Sequence, residues 1–158
     1  MEELFKQSLL NYLKQHNTMT LATSSNGAPW AAAVFYVNDG FDIYFLSEPN
    51  SRHASAIEEN GMVAATINED HHDWRKIQGI QLEGQAGRVT SRVKRAKVLA
   101  LYVAKFPFVG KMLVSPRLFS GKVARALAKV KFYKVTSKRI RLIDNTREFG
   151  YKDEIILP

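Results

Sequence analysis

The sequence predicts an α+β protein of mainly β type: a small antiparallel β-barrel of six or seven strands with attached helices. Three observations lead to this prediction. The length of 158 residues fits a single domain, 1–158. Short β-rich segments separated by tight-turn signals fill residues 18–90. Helical patterns do not alternate regularly with these strands, which argues against a parallel sheet built from βαβ units.

The N-terminal elements are a helix and three strands. Apolar residues at near-helical spacing predict a helix over residues 3–15. Asn26-Gly27 is a strong hairpin signal, and Asn38-Asp39-Gly40 is a second turn. These turns connect three strands into an antiparallel meander, at residues 18–24, 30–37 and 41–46. The second strand is so apolar that we expect both of its faces to be buried, one of them between subunits.

The middle of the chain adds a short helix and two strands. Asn50 or Ser51 is a good N-cap for a helix over residues 52–60, and Gly61 lies where a C′ glycine belongs. A fourth strand follows at residues 62–67. Residues 77–90 alternate as a long fifth strand, whose glycines suit a bulge or bend in a closing barrel.

The C-terminal part carries a helical insertion and then returns to strand. Apolar stripes predict helices over residues 91–105 and 115–129, with Pro107 ending the first of them. Residues 131–136 and 139–145 alternate as two short strands or one bent strand.

Composition excludes several classes of protein. Hydrophobic residues make up 46% and charged residues 24% of the chain, so wholesale disorder is excluded. Cysteine is absent, which excludes disulfides, thiolate metal sites and cysteine nucleophiles. No apolar run approaches the ~18 residues of a membrane span, and the N-terminus lacks the pattern of a signal peptide. We therefore expect a cytoplasmic protein with no membrane partner.

The net charge of +8 is distributed unevenly. Residues 84–143 contain 16 Lys and Arg and no acidic residue. Such asymmetry is typical of nucleic-acid or anionic-membrane surfaces, but also of a solvated or phosphate-handling face. The segment shows no helix-turn-helix, RNP or zinc pattern, so we predict no specific nucleic-acid binding.

One segment carries the strongest site signal. In Ser47-Glu48-Pro49-Asn50-Ser51-Arg52-His53, a predicted strand ends, the chain turns and a helix begins. The free N–H groups and positive dipole end of a helix favour an anion at this point. Arg52 adds a fork that matches phosphate, and Ser47 and Ser51 add hydroxyl donors. The alternative is an ordinary capped surface helix with a solvated arginine.

Other chemical signals are weaker. His71-His72-Asp73 has poor spacing for metal ligands, so we predict a solvated loop and no metal site. Trp74 is expected in the core or at an interface. There is no Gly-x-Ser-x-Gly, P-loop or paired-carboxylate motif, and no catalytic acid or base is identified.

The succession TMTLATSSNGAPWAAAVFYVNDGFDIYFLSEPNSRHASAIEENGMVAATI resembles the FMN-binding split-barrel family related to pyridoxamine 5′-phosphate oxidase. The resemblance is carried by a first strand reading LAT, a Gly-x-Pro turn, a long apolar strand and a strand–Ser–Arg–basic–helix sequence. QLEGQAGRV is similar to the next strand of that family, and the match covers residues 17–90. The segments RHA, IQGIQLEG, KFPFVGKMLVSP and IDNTREFGYK resemble its YhbP-like subfamily of uncharacterised bacterial proteins.

The resemblance implies a homodimer with FMN in a groove between two barrels. It also implies a flavin-dependent oxidoreductase with a small-molecule substrate or electron donor. Arg52 matches the phosphate arginine, and His53 stands where the oxidase usually has a lysine. The cofactor-binding residues that the resemblance implies are Ala32, Ala33, Val34, Leu46, Ser47, Ser51, Arg52, His53, Gln78 and Gly79.

The sequence departs from the oxidase at other positions. Basic residues that the oxidase has near Ala32 and Val37 are missing here, as are its C-terminal tryptophan and arginine. These departures argue against pyridoxamine phosphate oxidation itself and leave flavin binding in place. Two other functions stay open: a non-catalytic flavin carrier or sensor, and a nucleic-acid or anionic-surface binder using residues 84–143. FAD, haem and deazaflavin stay open as cofactors.

Overall fold

The computed structural model of the protein describes residues 1–115 and 121–158. These residues form seven strands, five α-helices and a 3₁₀ turn at Trp74–Lys76. The helices are α1 Glu2–Gln15, α2 Arg52–Glu59, α3 Arg92–Lys105, α4 Pro107–Val114 and α5 Gly121–Lys129. The strands are β1 Thr18–Ser25, β2 Ala28–Asp39, β3 Asp42–Ser47, β4 Met62–Asn68, β5 Gln78–Arg88, β6 Lys131–Asp144 and β7 Lys152–Ile156.

Six of the strands close into an antiparallel barrel. The strand order is β3-β2-β1-β4-β5-β6, and a further ladder between β3 and β6 joins the two ends. β7 pairs with β6 and extends the sheet beyond the barrel. The predicted mainly β, antiparallel barrel with an N-terminal helix, a short helix after the third strand and a helical insertion is confirmed.

Tight turns set the register of the β1–β3 meander. Asn26 and Gly27 both have positive φ, at 52° and 74°, as a two-residue hairpin turn requires. Gly40 has a φ of 58° in the second turn. Because these turns are short, they fix β1 against β2 and β2 against β3 over their whole paired lengths.

A bulge bends β5 where the barrel closes on β6. The pairing register shifts between Glu83 and Gly84. A Cβ atom on Gly84 would lie 2.3 Å from the Thr136 carbonyl oxygen, so only glycine allows this approach. The bulge predicted from the glycines of this strand is confirmed.

Two apolar clusters hold the helices on the barrel. The larger one fills the barrel interior, where the Phe45 and Tyr133 rings stack at 5.3 Å, and it includes Leu9 and Leu13 of α1. The smaller one lies outside the barrel, where α3 covers β2 and β3. There the Tyr102 hydroxyl donates to the Phe35 carbonyl oxygen at 2.9 Å. The second cluster therefore fixes the helical insertion over the outer face of these two strands.

Several predicted boundaries in the C-terminal half were wrong. Pro107 does not only end a helix: it begins α4, because proline at the first helical position loses no hydrogen bond. Ser115 ends α4 rather than beginning the next helix, and residues 116–120 of that predicted helix lie outside the described residues. β6 is one continuous strand, which confirms the second of the two alternatives predicted for residues 131–145. No strand was predicted at β7.

Within the single chain, β2 is not buried on both faces: Trp30 is 42% and Phe35 54% exposed, and the predicted burial between subunits stays a prediction. Trp74 is 56% exposed and packs edge-on against Phe149, so the core location, one of the two predicted for it, is wrong. Its location at an interface stays a prediction. Among the described residues, no helix is long and apolar enough to cross a membrane.

Candidate functional site

A cavity of about 450 Å³ lies between the outer face of β2 and β3 and the helical insertion. The two strands and the start of α2 form one side, and α3, α4 and α5 contribute the other. The wall is apolar and aromatic except at one end. The lining residues are Ala33, Val34, Phe35, Leu46, Ser47, Glu48, His53, Tyr102, Phe106, Phe108, Val109, Met112, Leu113, Leu127 and Val130.

The polar end of the cavity is a cluster of two hydroxyls and an imidazole. Ser47 Oγ lies 2.9 Å from Ser51 Oγ and 2.6 Å from His53 Nε2. Ser51 Oγ also lies 3.3 Å from the same imidazole nitrogen. Ser47 is only 7% exposed, so this cluster forms the floor of the polar end rather than a patch of open surface.

Local sequence explains why these three side chains meet. The Ser51 N–H donates to the Glu48 carbonyl oxygen at 2.9 Å, which turns the chain sharply after β3. Ser51 then caps α2 by accepting from the Ala54 N–H at 3.3 Å. The N–H groups of Arg52 and His53 lie in the first turn, where no intrahelical acceptor exists. This helix start therefore presents free donors and the positive end of the dipole beside the hydroxyl cluster.

Burial lowers the pKa of His53 below its ordinary value. The imidazole is therefore neutral near pH 7 and offers one donor and one acceptor. Glu48 also lines the cavity and adds a carboxylate next to this cluster in the chain. Its Oε1 atom lies 4.0 Å from Lys129 Nζ. The polar end thus gains no fixed positive charge from His53 at neutral pH.

Arg52 has a partner that the sequence did not predict. Its guanidinium lies over the Trp30 ring, 4.0 Å from the ring centroid. Both residues are exposed, and Arg52 makes no hydrogen bond to Ser47, Ser51 or His53 in this arrangement. Arg52 is adjacent to the cluster along the chain, between Ser51 and His53.

The structure brings together most, but not all, of the predicted site residues. Five line the cavity: Ala33, Val34, Leu46, Ser47 and His53. Ser51 joins them through its hydrogen bonds, and Arg52 is next to it in sequence. Ala32 points to the other face of β2 because side chains alternate along a strand. It is half-buried and does not line the cavity.

Gln78 and Gly79 lie elsewhere. They line a separate surface depression with His71 and Asp70. The Gln78 side-chain amide donates to Asp144 Oδ1 at 3.0 Å, which ties the start of β5 to the end of β6. Within one chain these two residues therefore do not belong to the cavity.

The helical wall of the cavity was not predicted from the sequence. Tyr102, Phe106, Phe108, Met112 and Leu113 supply much of its apolar surface. The signal was present in KFPFVGKMLV, in which Pro107 precedes seven residues, five of them apolar and at helical spacing. Pro107 was predicted only to end a helix, so α4, which begins at this residue, was not predicted.

The His71-His72-Asp73 loop is held by local contacts. His71 Nε2 lies 2.9 Å from Glu69 Oε2, and Asp73 accepts from the Arg75 N–H at 3.0 Å. Among residues 1–115 and 121–158, there is no group of three or more His, Cys, Asp or Glu side chains arranged to hold a metal ion.

Comparisons with known proteins agree with this architecture. The UPF0306 protein YhbP of Escherichia fergusonii is 26% identical over 147 residues, covering 92% of this chain and 88% of that protein. A putative pyridoxamine 5′-phosphate oxidase from Listeria innocua superposes with a TM-score of 0.66 at 16% identity, covering 89% of this chain and 98% of that one. A heme binding protein from Mycobacterium smegmatis gives a TM-score of 0.68 at 19% identity, covering 89% of this chain and 53% of that one.

The family comparison covers most of the chain. The model of the pyridoxamine 5′-phosphate oxidase family matches residues 5–144, from α1 to the end of β6. This range includes all six barrel strands and the whole cavity wall. The protein therefore belongs to the pyridoxamine 5′-phosphate oxidase family and, as its sequence motifs predicted, is similar to the YhbP-like members of that family.

Proposed function

We propose that the protein binds FMN in this cavity and acts as a flavin-dependent oxidoreductase on a small molecule. One observation carries the proposal: an apolar and aromatic cavity ends at the Ser47–Ser51–His53 cluster beside a helix start. FMN combines a flat, largely apolar ring with a phosphate group. The two ends of the cavity match these two parts of the cofactor.

The residues present fit the cofactor in type. Ser47, Ser51 and the first-turn N–H groups of α2 would hold the phosphate, and Arg52 would add charge after leaving Trp30. Ala33 and Leu46 would contact the ring. When bound, FMN supplies hydride or electron transfer. The chain itself binds and orients the ring, and α3, α4 and α5 exclude water from it.

We further propose that the protein works as a homodimer. Exposed large apolar side chains on β2, Trp30 and Phe35, support this because large exposed apolar patches are typical of interfaces. Light scattering is expected to give about twice the chain mass of 17.9 kDa at micromolar concentration. A monomer at that concentration would contradict the dimer.

The direct test is to identify the small molecule that copurifies with the protein. Mass spectrometry and the absorbance spectrum are expected to show FMN. Turnover with NADH, NADPH or a reduced deazaflavin then separates an enzyme from a carrier or sensor. A flavin that binds tightly but is never reduced by any donor would favour the carrier.

Haem is the second candidate for the cavity. The observation that favours it is the neutral His53 imidazole at the polar end of an otherwise apolar cavity, since neutral imidazole is a common metal ligand. The M. smegmatis neighbour, described as a heme binding protein, adds support at the level of the fold. A haem spectrum in place of a flavin spectrum in the purified protein would decide for this candidate.

Arg52→Ala is expected to weaken FMN binding by about 10- to 150-fold, because a charge-assisted contact to phosphate contributes about 1.5–3 kcal/mol. Riboflavin lacks the phosphate, so its affinity is expected to stay nearly unchanged. Loss of the contact with Trp30 should lower the free energy of unfolding by no more than about 1 kcal/mol. Titration of both ligands against wild type and variant measures the difference.

Arg75→Ala is the matched control for this titration. Arg75 is also exposed and lies outside the cavity. Its Nε atom forms an ion pair with Asp73 Oδ1 at 2.9 Å. Its removal lowers the net charge by the same amount and should leave both affinities unchanged. Equal losses for FMN and riboflavin in Arg52→Ala would place the phosphate away from the start of α2.

A further inference from the structure

A second, smaller pocket lies beside the cavity and is lined by positive charge. It has a volume of about 280 Å³ and sits between the end of β5, the first turn of α3 and the start of β6. Arg88, Arg95 and Lys131 surround it, and Thr90 adds a hydroxyl. Its remaining lining residues are Val89, Val130 and Phe132, which give it an apolar floor.

The three cations of this pocket, Arg88, Arg95 and Lys131, are not neutralised by the protein. Within the described part of the chain, none of them forms an ion pair with a carboxylate. Neighbouring lysines behave differently: Lys97 pairs with Asp39 at 2.5 Å, and Lys134 pairs with Asp42 at 2.7 Å. Like charges gathered around a concavity repel each other and create a positive potential, so the site favours an external anion.

The basic pocket is adjacent to the cavity. Val130 lines both of them. Lys131 is the direct cross-strand partner of Ser47 in the ladder between β3 and β6. One cation of the pocket and one hydroxyl of the cavity therefore lie at the same end of the same pair of strands.

We propose that the basic pocket binds the phosphate group of a small phosphorylated co-substrate whose other end reaches the cavity. Arg88 and Arg95 supply planar forks that bind phosphate oxygens in pairs, and Lys131 supplies a point charge. A concave pocket of this volume suits a phosphate or pyrophosphate group, whereas nucleic acid needs an extended basic surface. The role as co-substrate site rests on the proposed function, but the anion site itself does not.

The test is calorimetric titration of the purified protein with inorganic pyrophosphate. The double variant R88Q/R95Q is expected to bind pyrophosphate at least about tenfold more weakly than wild type, because it loses two charge-assisted contacts. Lys97→Gln is the matched control, since Lys97 lies on the same helix and is paired with Asp39. It should change the affinity by less than about twofold. Circular dichroism melting confirms that both variants are folded.

Each outcome bears on a separate part of the proposal. Equal losses in Lys97→Gln and R88Q/R95Q, or no saturable binding by wild type, would overturn the anion site. A DNA duplex that binds wild type more tightly than pyrophosphate, and loses affinity in R88Q/R95Q, would replace the small ligand with nucleic acid. FMN titration of the same proteins separates the two proposals. Unchanged FMN affinity in R88Q/R95Q supports a distinct co-substrate site, whereas absence of FMN binding in every variant would overturn the co-substrate role and leave the anion site standing.

Discussion

Replacing Ala33 by tryptophan is expected to weaken FMN binding by about 100-fold or more, equivalent to a loss of about 2.7 kcal/mol. Ala33 lies on β2 and lines the cavity, while its small side chain leaves the space above the strand open. An indole at this position would occupy the part of the cavity proposed for the flavin ring. Because Ala33 is exposed within the chain, the larger side chain need not disturb the barrel core. Fluorescence titration with FMN measures the loss.

Ala31→Trp is the matched control for this experiment. Ala31 is two positions earlier on the same face of β2 and is also exposed, but it does not line the cavity. Its variant should keep the FMN affinity of wild type to within about threefold. Light scattering on both variants separates blocking of the cavity from disruption of the proposed dimer. Full FMN affinity in Ala33→Trp would show that the cofactor does not use this cavity.

Gly84→Ala is expected to lower the free energy of unfolding by about 3 kcal/mol. The added methyl group would meet the Thr136 carbonyl oxygen at 2.3 Å and the Ser137 Cα atom at 3.1 Å. These atoms belong to the backbone of β6, which cannot move aside without breaking the pairing of β5 and β6. Urea unfolding followed by circular dichroism gives the difference.

Gly87→Ala provides the comparison on the same strand. No heavy atom lies within 4 Å of a Cβ placed at Gly87, and its φ is not in the left-handed region. The alanine should therefore be neutral or stabilise the fold by up to about 1 kcal/mol, because it restricts the unfolded chain. Similar losses in both variants would mean that the close approach at the bulge is not what requires Gly84.

The first half of the fold was predictable because its determinants are local. Asn26-Gly27 and Gly40 specify turns through their own backbone preferences, and the flanking strands then pair with their immediate neighbours. Ser51 specifies the start of α2 in the same way, through a hydrogen bond three residues away. Each of these signals lies within a few residues of the structure it determines.

The helical insertion and the last strand were harder to predict. Pro107 is compatible with both the end of one helix and the start of the next, and only the packing of Phe106 and Val109 against α3 decides between them. β7 is a short strand of mostly charged residues, and its stability comes from pairing with β6. The periodicity of the sequence indicates neither the packing against α3 nor the pairing of β7 with β6.

In the candidate site, too, the features with a local sequence signal were predictable and those that depend on tertiary contacts were not. The Ser47–Ser51–His53 cluster spans seven residues, so its strand–turn–helix sequence was sufficient to predict it. The contact between Arg52 and Trp30 joins two elements through the tertiary fold and has no local signal. Gln78 was placed by resemblance alone, and the chain positions it on a different face from the cavity.

The ladder between β3 and β6 has a kinetic consequence for the protein. Its partners are remote along the chain: Asp42 pairs with Thr136, and Ser47 pairs with Lys131. The β1–β3 hairpins can form rapidly from neighbouring residues, but the closing ladder must wait until the long intervening segment has brought its ends together. That segment includes α3, α4 and α5, so compaction of these helices shortens the distance over which closure occurs. We therefore expect closure of the β3–β6 seam to limit the rate of folding, and we expect the helices that cover the cavity in the native state to assist that closure.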